Sequence, residues 1–269
     1  MAHYTAVSHT AHSSKTWHRF DSYRFFADER TAPLVGAEFP KASVAFPIAW
    51  LKNHGQFEPV ALLGLTEAEN LFIDTAYRWI GTYVPAHFRT QPFRLIQTDD
   101  EQLTLGVRED IGLVTDNGSG NPFFNDEGDL SDEVQEIVDM LRKLKGNRAA
   151  TAVASQALSD AGVLEPWDIA PVINGEKRKL GGLFHVSQQA LNSIDAETLA
   201  DLRDKGALAM AYCQQISQQL IQRLQMLHER RARERVKRSS HPADQDSFGL
   251  GFDEGEGGIS FGGMADNDN

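Results

Sequence analysis

One cysteine, Cys213, is all that 269 residues contain, which excludes an internal disulfide and any CxxC metal or redox motif. Cys213 lies in a strongly helical stretch and reads as a small buried hydrophobe rather than a nucleophile. Long apolar runs are also missing. The longest mostly apolar segment, Val44 to Leu51, is far short of the about 20 residues that span a bilayer. The first residues, MAHYTAVSHTAHSSKTWHRF, hold no continuous apolar core of a secretory signal. The expectation is a soluble, cytoplasmic chain. Positive charge is scarce as well: 26 Lys and Arg stand against 38 Asp and Glu, a net charge of -12. Such a balance argues against a general nucleic-acid binder, because phosphate contacts need a cationic surface.

Catalytic signatures are absent too. The sequence has no GxxxxGK[ST], no GxGxxG after a strand, no HExxH and no GxSxG, so phosphate cradles, zincin helices and nucleophile elbows are not read. No His-x-Asp or His-x-Glu pair supports a facial triad. His3, His9, His12 and His18 lack acidic or sulfur companions nearby in the sequence. No metal and no cofactor are expected.

What is present divides the chain in two. Residues 1–20 are polar with almost no apolar periodicity and read as a flexible arm. From Phe39 to Asp110 the segments ASVAFPIAW, PVALLGL, NLFID, RWIGTYV, FRLIQ and QLTLGV read as short strands. Asn53-His54-Gly55 and Asp99-Asp100-Glu101 read as connections between antiparallel neighbours. Thr66 to Glu69 fits a capping box, but the residues that follow favour strands, so no helix is assigned. Thr115 to Asp129 reads as a polar loop with an apolar plug, Phe123-Phe124.

The second half is helical. Ser131 caps a helix whose first turn is acidic, with Val134, Ile137, Val138, Leu141 and Leu144 at helical spacing. Gly146-Asn147 reads as a break before a further helix through Ala161. Asn174-Gly175 reads as a hairpin turn. Ser187 and Asp195 cap two short helices, the second ending at Gly206. A last helix is expected from Ala207 to Arg235, ending in HERRARERVKR, followed by an acidic, glycine-rich tail. The fold class is therefore α+β: an antiparallel, strand-rich N-terminal half packed with a helical C-terminal half, a long C-terminal helix and disordered termini. One domain, 21–238, lies between the arm and the tail, 239–269.

Two places could carry function. The stretch RWIGTYVPAHFRTQPF from Arg78 to Phe93 is either a ring-filled core or a pocket built on Trp79, Tyr83 and Arg89. In the second reading Glu38 or Asp74 tunes the charge, and stacking rings beside a guanidinium suit a small aromatic or acidic ligand. The basic end, with Arg230, Arg231, Arg233 and Arg235, is either a solvated helix end or a partner-docking patch.

The succession APLVGAEFPKASVAFPIAW, PVALLGLTEAENLFID, RWIGTYVPAHFRTQPF, PFFNDEG, GLFHVSQQALNSID and LADLRDKGALAMAYCQQISQQ resembles the bacterial SapC family over roughly residues 25–230. The resemblance implies a non-catalytic accessory or binding protein acting beside surface-layer or halogenase-like protein partners, and carries over no catalytic residue. The alternative is an enzyme of unrecognised type, or a substrate-presenting helper, with its pocket near Trp79, Tyr83 and Arg89.

Overall fold

The structure, a computed structural model, describes residues 3–98, 102–173 and 175–240. In chain order its elements begin with β1 (Thr5–Ala6), α1 (His9–His12), β2 (Thr16–Trp17), β3 (Thr31–Pro33) and α2 (Phe39–Ala42). Then come β4 (Ile48–Asn53), β5 (Gln56–Leu62), α3 (Ala86–Arg89), β6 (Phe93–Gln97) and β7 (Leu103–Val107). β8 (Val114–Thr115), β9 (Asn121–Pro122), α4 (Asp132–Asp160), β10 (Leu164–Pro166), β11 (Val172–Ile173) and β12 (Glu176–Lys177) follow. β13 (Leu183–Val186), α5 (Gln188–Ser193), α6 (Ala196–Asp204), α7 (Ala207–Ser217) and α8 (Leu220–Ser240) complete the chain. Antiparallel sheets with several helices make this an α+β fold. No helix among the described residues is long and apolar enough to cross a membrane.

The organising unit is a five-stranded antiparallel sheet in the order β10-β13-β4-β5-β3. Its central hairpin turns at His54 (φ 48°) and Gly55 (φ 85°), both left-handed, as a two-residue turn between paired Asn53 and Gln56 requires. Ile48, Ala49 and Trp50 are fully buried. α7 meets this sheet with polar side chains that finish its backbone bonding. Gln214 donates to the Ile48 carbonyl (3.1 Å) and accepts from the Val186 amide (3.1 Å), while Ser217 accepts from the Ile48 amide (3.0 Å). Buried amides left unpaired would each cost about 1–3 kcal/mol. Trp50 donates its indole N–H to Ser155 on α4 (3.0 Å), locking the long helix to the sheet.

A smaller sheet, β1-β7-β6, frames a second apolar cluster of Trp17, Phe93, Leu105, Val107, Phe123, Val134, Ile137, Val138 and Leu141. α4 serves both interiors. Its first half supplies Val134 to Leu141 to the small cluster, and its second half supplies Ala154, Ala157 and Leu158 to the large one. Ser131 caps it as expected, accepting from the Val134 amide (3.4 Å).

Several expectations are corrected. The helix does not break at Gly146-Asn147; it runs 29 residues. One exposed glycine costs about 1 kcal/mol, less than the apolar contacts on either side supply. The expected last helix is two, α7 and α8, separated by Gln218 and Gln219. The break follows Gln214 and Ser217, whose side chains are committed to the sheet. NLFID and RWIGTYV are not strands. Residues 71–84 form a loop with one isolated bridge, Ile73 to Trp79, and their apolar side chains are buried without a ladder. Thr66 to Glu69 forms no helix, as read, although Thr66 still bonds the Glu69 carboxylate (3.0 Å).

Residues 3–20 are not a free arm. β1 pairs with β7, and β2 is the central strand between β8 and β9. Trp17 is 1 % exposed, set edge-on to Phe93 at 4.9 Å. The buried His12 ring lies 2.9 Å from Glu109. Partners about a hundred residues away, not local periodicity, order this segment. The Asp99-Asp100-Glu101 connection, Asn174 of the expected Asn174-Gly175 turn, and the acidic tail from His241 onward lie outside the described residues. The strands flanking Asn174, β11 and β12, do pair antiparallel.

Candidate functional site

Glu38 is the most deeply committed acid in the region. A 3-10 turn over Gly36–Glu38 leads into α2 and points the carboxylate inward, where the residue is 5 % exposed. Buried charge is tolerated only when its lone pairs are filled. One oxygen of Glu38 accepts from the Val35 amide (3.1 Å); the other accepts from the Ala86 amide (2.7 Å) and the Tyr83 hydroxyl (2.8 Å). Pro85 ends the loop so that α3 begins with Ala86 facing this acid.

Tyr83 is therefore a donor held in its neutral form. Burial pushes its phenol up to about 12, and the hydrogen bond and charge of Glu38 add to this against the opposing Arg89. Arg89 donates to the Tyr83 oxygen (3.2 Å), with its guanidinium 5.6 Å from the ring. Three of the expected residues, Glu38, Tyr83 and Arg89, thus form one chain of donors and acceptors. Trp79 adjoins them, donating its indole N–H to the Tyr83 carbonyl (2.9 Å) and stacking on Phe72. Asp74 does not join them. It closes its own turn by accepting from the Ala76 and Arg78 amides (2.9 and 2.8 Å), which with the Arg78 side chain hold its carboxyl below the usual range.

The principal cleft, about 860 Å³, opens on Glu38 but not on Trp79, Tyr83 or Arg89. That volume falls within the range of small-ligand sites. Its walls are β5 and β6, and α4 closes it with Lys145 and Arg148. Arg94 of β6 extends over the Tyr4 ring at 5.8 Å, and the Tyr4 hydroxyl accepts from the Gln91 amide (3.0 Å).

Arg148 is reached by solvent through the open mouth, yet protein around it withdraws water. This desolvation first, and the charge of Arg94 second, hold its guanidinium below the usual range, while Glu38 and Tyr4 oppose the shift. It remains a cation at neutral pH. Among the described residues no carboxylate pairs with Arg148, Arg94 or Lys145 at ion-pair distance. An anion entering the cleft would meet two guanidiniums that repel each other, and would relieve both. Sequence reading missed Tyr4, Arg94 and Arg148. None sits in a motif, and the first belongs to the segment taken for an arm.

The basic helix end is largely engaged. Arg231 donates to the carbonyls of Asn70 (3.2 Å) and Ile73, tying α8 to the loop that precedes Asp74, and burial lowers its pKa. Arg230 pairs with Glu234 and Arg233 with Glu229, each at 3.8 Å along the helix. Arg235 lies 3.9 Å from the buried Glu69, whose other oxygen is 3.0 Å from His228. A depression of about 450 Å³ joins Asp74 to Arg230 and Arg231. These residues, expected as two separate groups, share one surface.

No curated protein and no solved structure matches the chain significantly. A family model, SapC, matches residues 7–224, which include the whole Glu38 network and every cation of the principal cleft. The chain belongs to the SapC family.

Proposed function

We propose that this chain is a non-catalytic binding or accessory protein whose cleft between β5, β6 and α4 receives an acidic ligand. The observation that carries the reading is Arg148: a guanidinium lining the cleft, repelled by Arg94 and lacking a carboxylate partner among the described residues. In a chain of net charge -12, such a spot selects ligands by sign. A binding role is further supported by the state of the neighbouring acid. Glu38 has three donors filling its oxygens, which leaves it poorly placed as a general base. The family resemblance suggests surface-layer or halogenase-like proteins as the setting in which such a ligand is presented.

A thermal-shift screen of dicarboxylates, aromatic acids and acidic peptides tests this. A ligand at a hundred times its Kd stabilises by about 2.7 kcal/mol, a readily measured rise in Tm. Arg148→Ala should abolish the rise while leaving the unliganded Tm within about 2 °C, because the side chain is solvent-accessible. Acidic ligands binding equally well to the variant would refute the reading, as would a screen in which none binds.

A further inference from the structure

The walls of the cleft are sheet edges. β6 is the outer strand of the β1-β7-β6 sheet, with β7 on one side and no strand on the other among the described residues. Consecutive residues Phe93, Arg94 and Leu95 all line the cleft. Neighbours on a strand point to opposite faces, so the cleft runs along the edge itself.

Ladder geometry says which backbone groups that edge presents. In an antiparallel pair, alternate residues exchange both N–H···O bonds with the partner, and those between turn outward. The Arg108 amide donates to the Pro92 carbonyl (2.9 Å) and the Thr98 amide to the Gln102 carbonyl (2.9 Å). Even-numbered residues of β6 therefore face β7. The odd ones, Phe93, Leu95 and Gln97, turn away from it. The Phe93 amide is taken by the Thr90 carbonyl (2.8 Å), which leaves Leu95 presenting N–H and C=O together. The opposite wall repeats the arrangement. Gln56 pairs with Asn53 at the hairpin end and the Leu62 amide bonds the Pro47 carbonyl (2.9 Å), so even residues of β5 face β4. β3 and the Leu34 amide that follows it, which donates to the Pro59 carbonyl (3.0 Å), cover β5 only from Pro59 onward. Phe57 is thus turned outward beyond the reach of β3, and it too lines the cleft.

Unsatisfied strand edges attract another strand unless they are blunted. An edge opening on a cationic cleft favours an acidic strand. We infer that the ligand of this cleft is an extended acidic peptide from another protein. It adds to β6 through the Leu95 N–H and C=O, and presents carboxylates at alternate positions to Arg94 and Arg148. Main-chain bonds provide affinity and the charged positions provide selection, as in other strand-addition complexes. A strand matching β6 has about five residues, roughly 16 Å of extended chain. The acids lining the cleft bond elsewhere, and among the described residues none pairs with Arg94 or Arg148: Glu38 as above, Glu58 with the Asn53 side-chain amide (2.9 Å) and Asp160 with the Gln156 side-chain amide (2.7 Å).

This inference rests on the acidic-ligand reading, and the experiment separates the two. A random twelve-residue displayed peptide library is selected on the full chain, and the enriched sequences are synthesised for anisotropy titration. Enrichment of peptides with two acids spaced by one residue is expected. Affinity should fall at least tenfold on Arg148→Glu, and likewise when alternate peptide amides are N-methylated, a change that leaves the protein untouched. Leu95→Pro should weaken binding similarly and Leu95→Ala should not, since both give up the packing of Leu95 on the smaller core but only Pro removes the outward N–H, and Pro is tolerated at a strand edge when its missing donor faces outward. Acidic peptides that need Arg148 but ignore N-methylation overturn strand addition and leave the acidic-ligand reading intact. Peptides without acids, or none at all, overturn both. If a synthetic peptide of residues 243–256 binds better than any selected sequence, the edge belongs to this chain's own tail. If the free chain sediments as a dimer that Leu95→Pro dissociates, the edge belongs to a second copy. Either result overturns the partner named here.

Discussion

Replacing Tyr83 by Phe removes one hydroxyl and nothing else, and the structure sets both the size and the pH dependence of the cost. The hydroxyl donates at 2.8 Å to a carboxylate that is 5 % exposed. A bond to a buried charged acceptor contributes about 1.5–3 kcal/mol, so urea denaturation near neutral pH should show a loss of that order. The phenol is pushed from 10.0 up to about 12 in the folded chain, which means folding favours its protonated form. The stability it contributes is complete below pH 10, its unfolded value, and disappears as pH rises through about 12. Two pH units correspond to at most about 2.7 kcal/mol; because the ring is only half-buried, screening reduces this to about 1–1.5 kcal/mol. The gap between wild type and Tyr83→Phe should therefore narrow by about two-thirds of that amount, roughly 0.6–1 kcal/mol, from pH 9.5 to 11.5. Lysines and the other tyrosines titrate in both chains and cancel in the difference. A gap that stays constant over this range would refute the assignment of Tyr83 as the protonated donor to Glu38.

Trp17→Ala empties a fully buried site in the smaller core and should cost about 3–5 kcal/mol by urea denaturation; a change under 1 kcal/mol would return residues 3–20 to the status of a loose arm. Gly64→Ala would place a Cβ 2.0 Å from the Glu69 carbonyl oxygen, which backbone must move to relieve. A loss of about 3 kcal/mol or more is expected, and unaltered Tm would show that the two segments do not approach so closely.

Sequence reading succeeded where the signal is local. The His54-Gly55 turn, the Ser131, Ser187 and Asp195 caps and the helical turn after Pro85 each follow from a few adjacent residues with fixed conformational preferences. It failed where distant partners decide. Trp79 to Val84 has strand-like composition, yet those side chains are anchored by Phe72, Glu38 and Phe88 rather than by a neighbouring strand. The same holds for the candidate site. Tyr83 and Arg89 were legible as a group because aromatic and basic residues cluster near Pro85; Glu38, far upstream in the chain, reaches them only through the fold. Arg94 and Arg148 were not legible, because an arginine on a short strand and another on a helix surface look ordinary until the chain folds them onto one cavity. Asp74 was grouped with the rings on chain proximity alone. Its turn carries it to α8 instead.

Because a single helix, α4, threads both apolar interiors, neither can melt while the other stays intact unless that helix frays past its middle. Gly146 marks the midpoint, and Arg148 sits half a turn beyond it. Whatever occupies the guanidinium there also presses on a helix that both interiors share, so an occupant would be felt as mechanical stiffening far from where it touches.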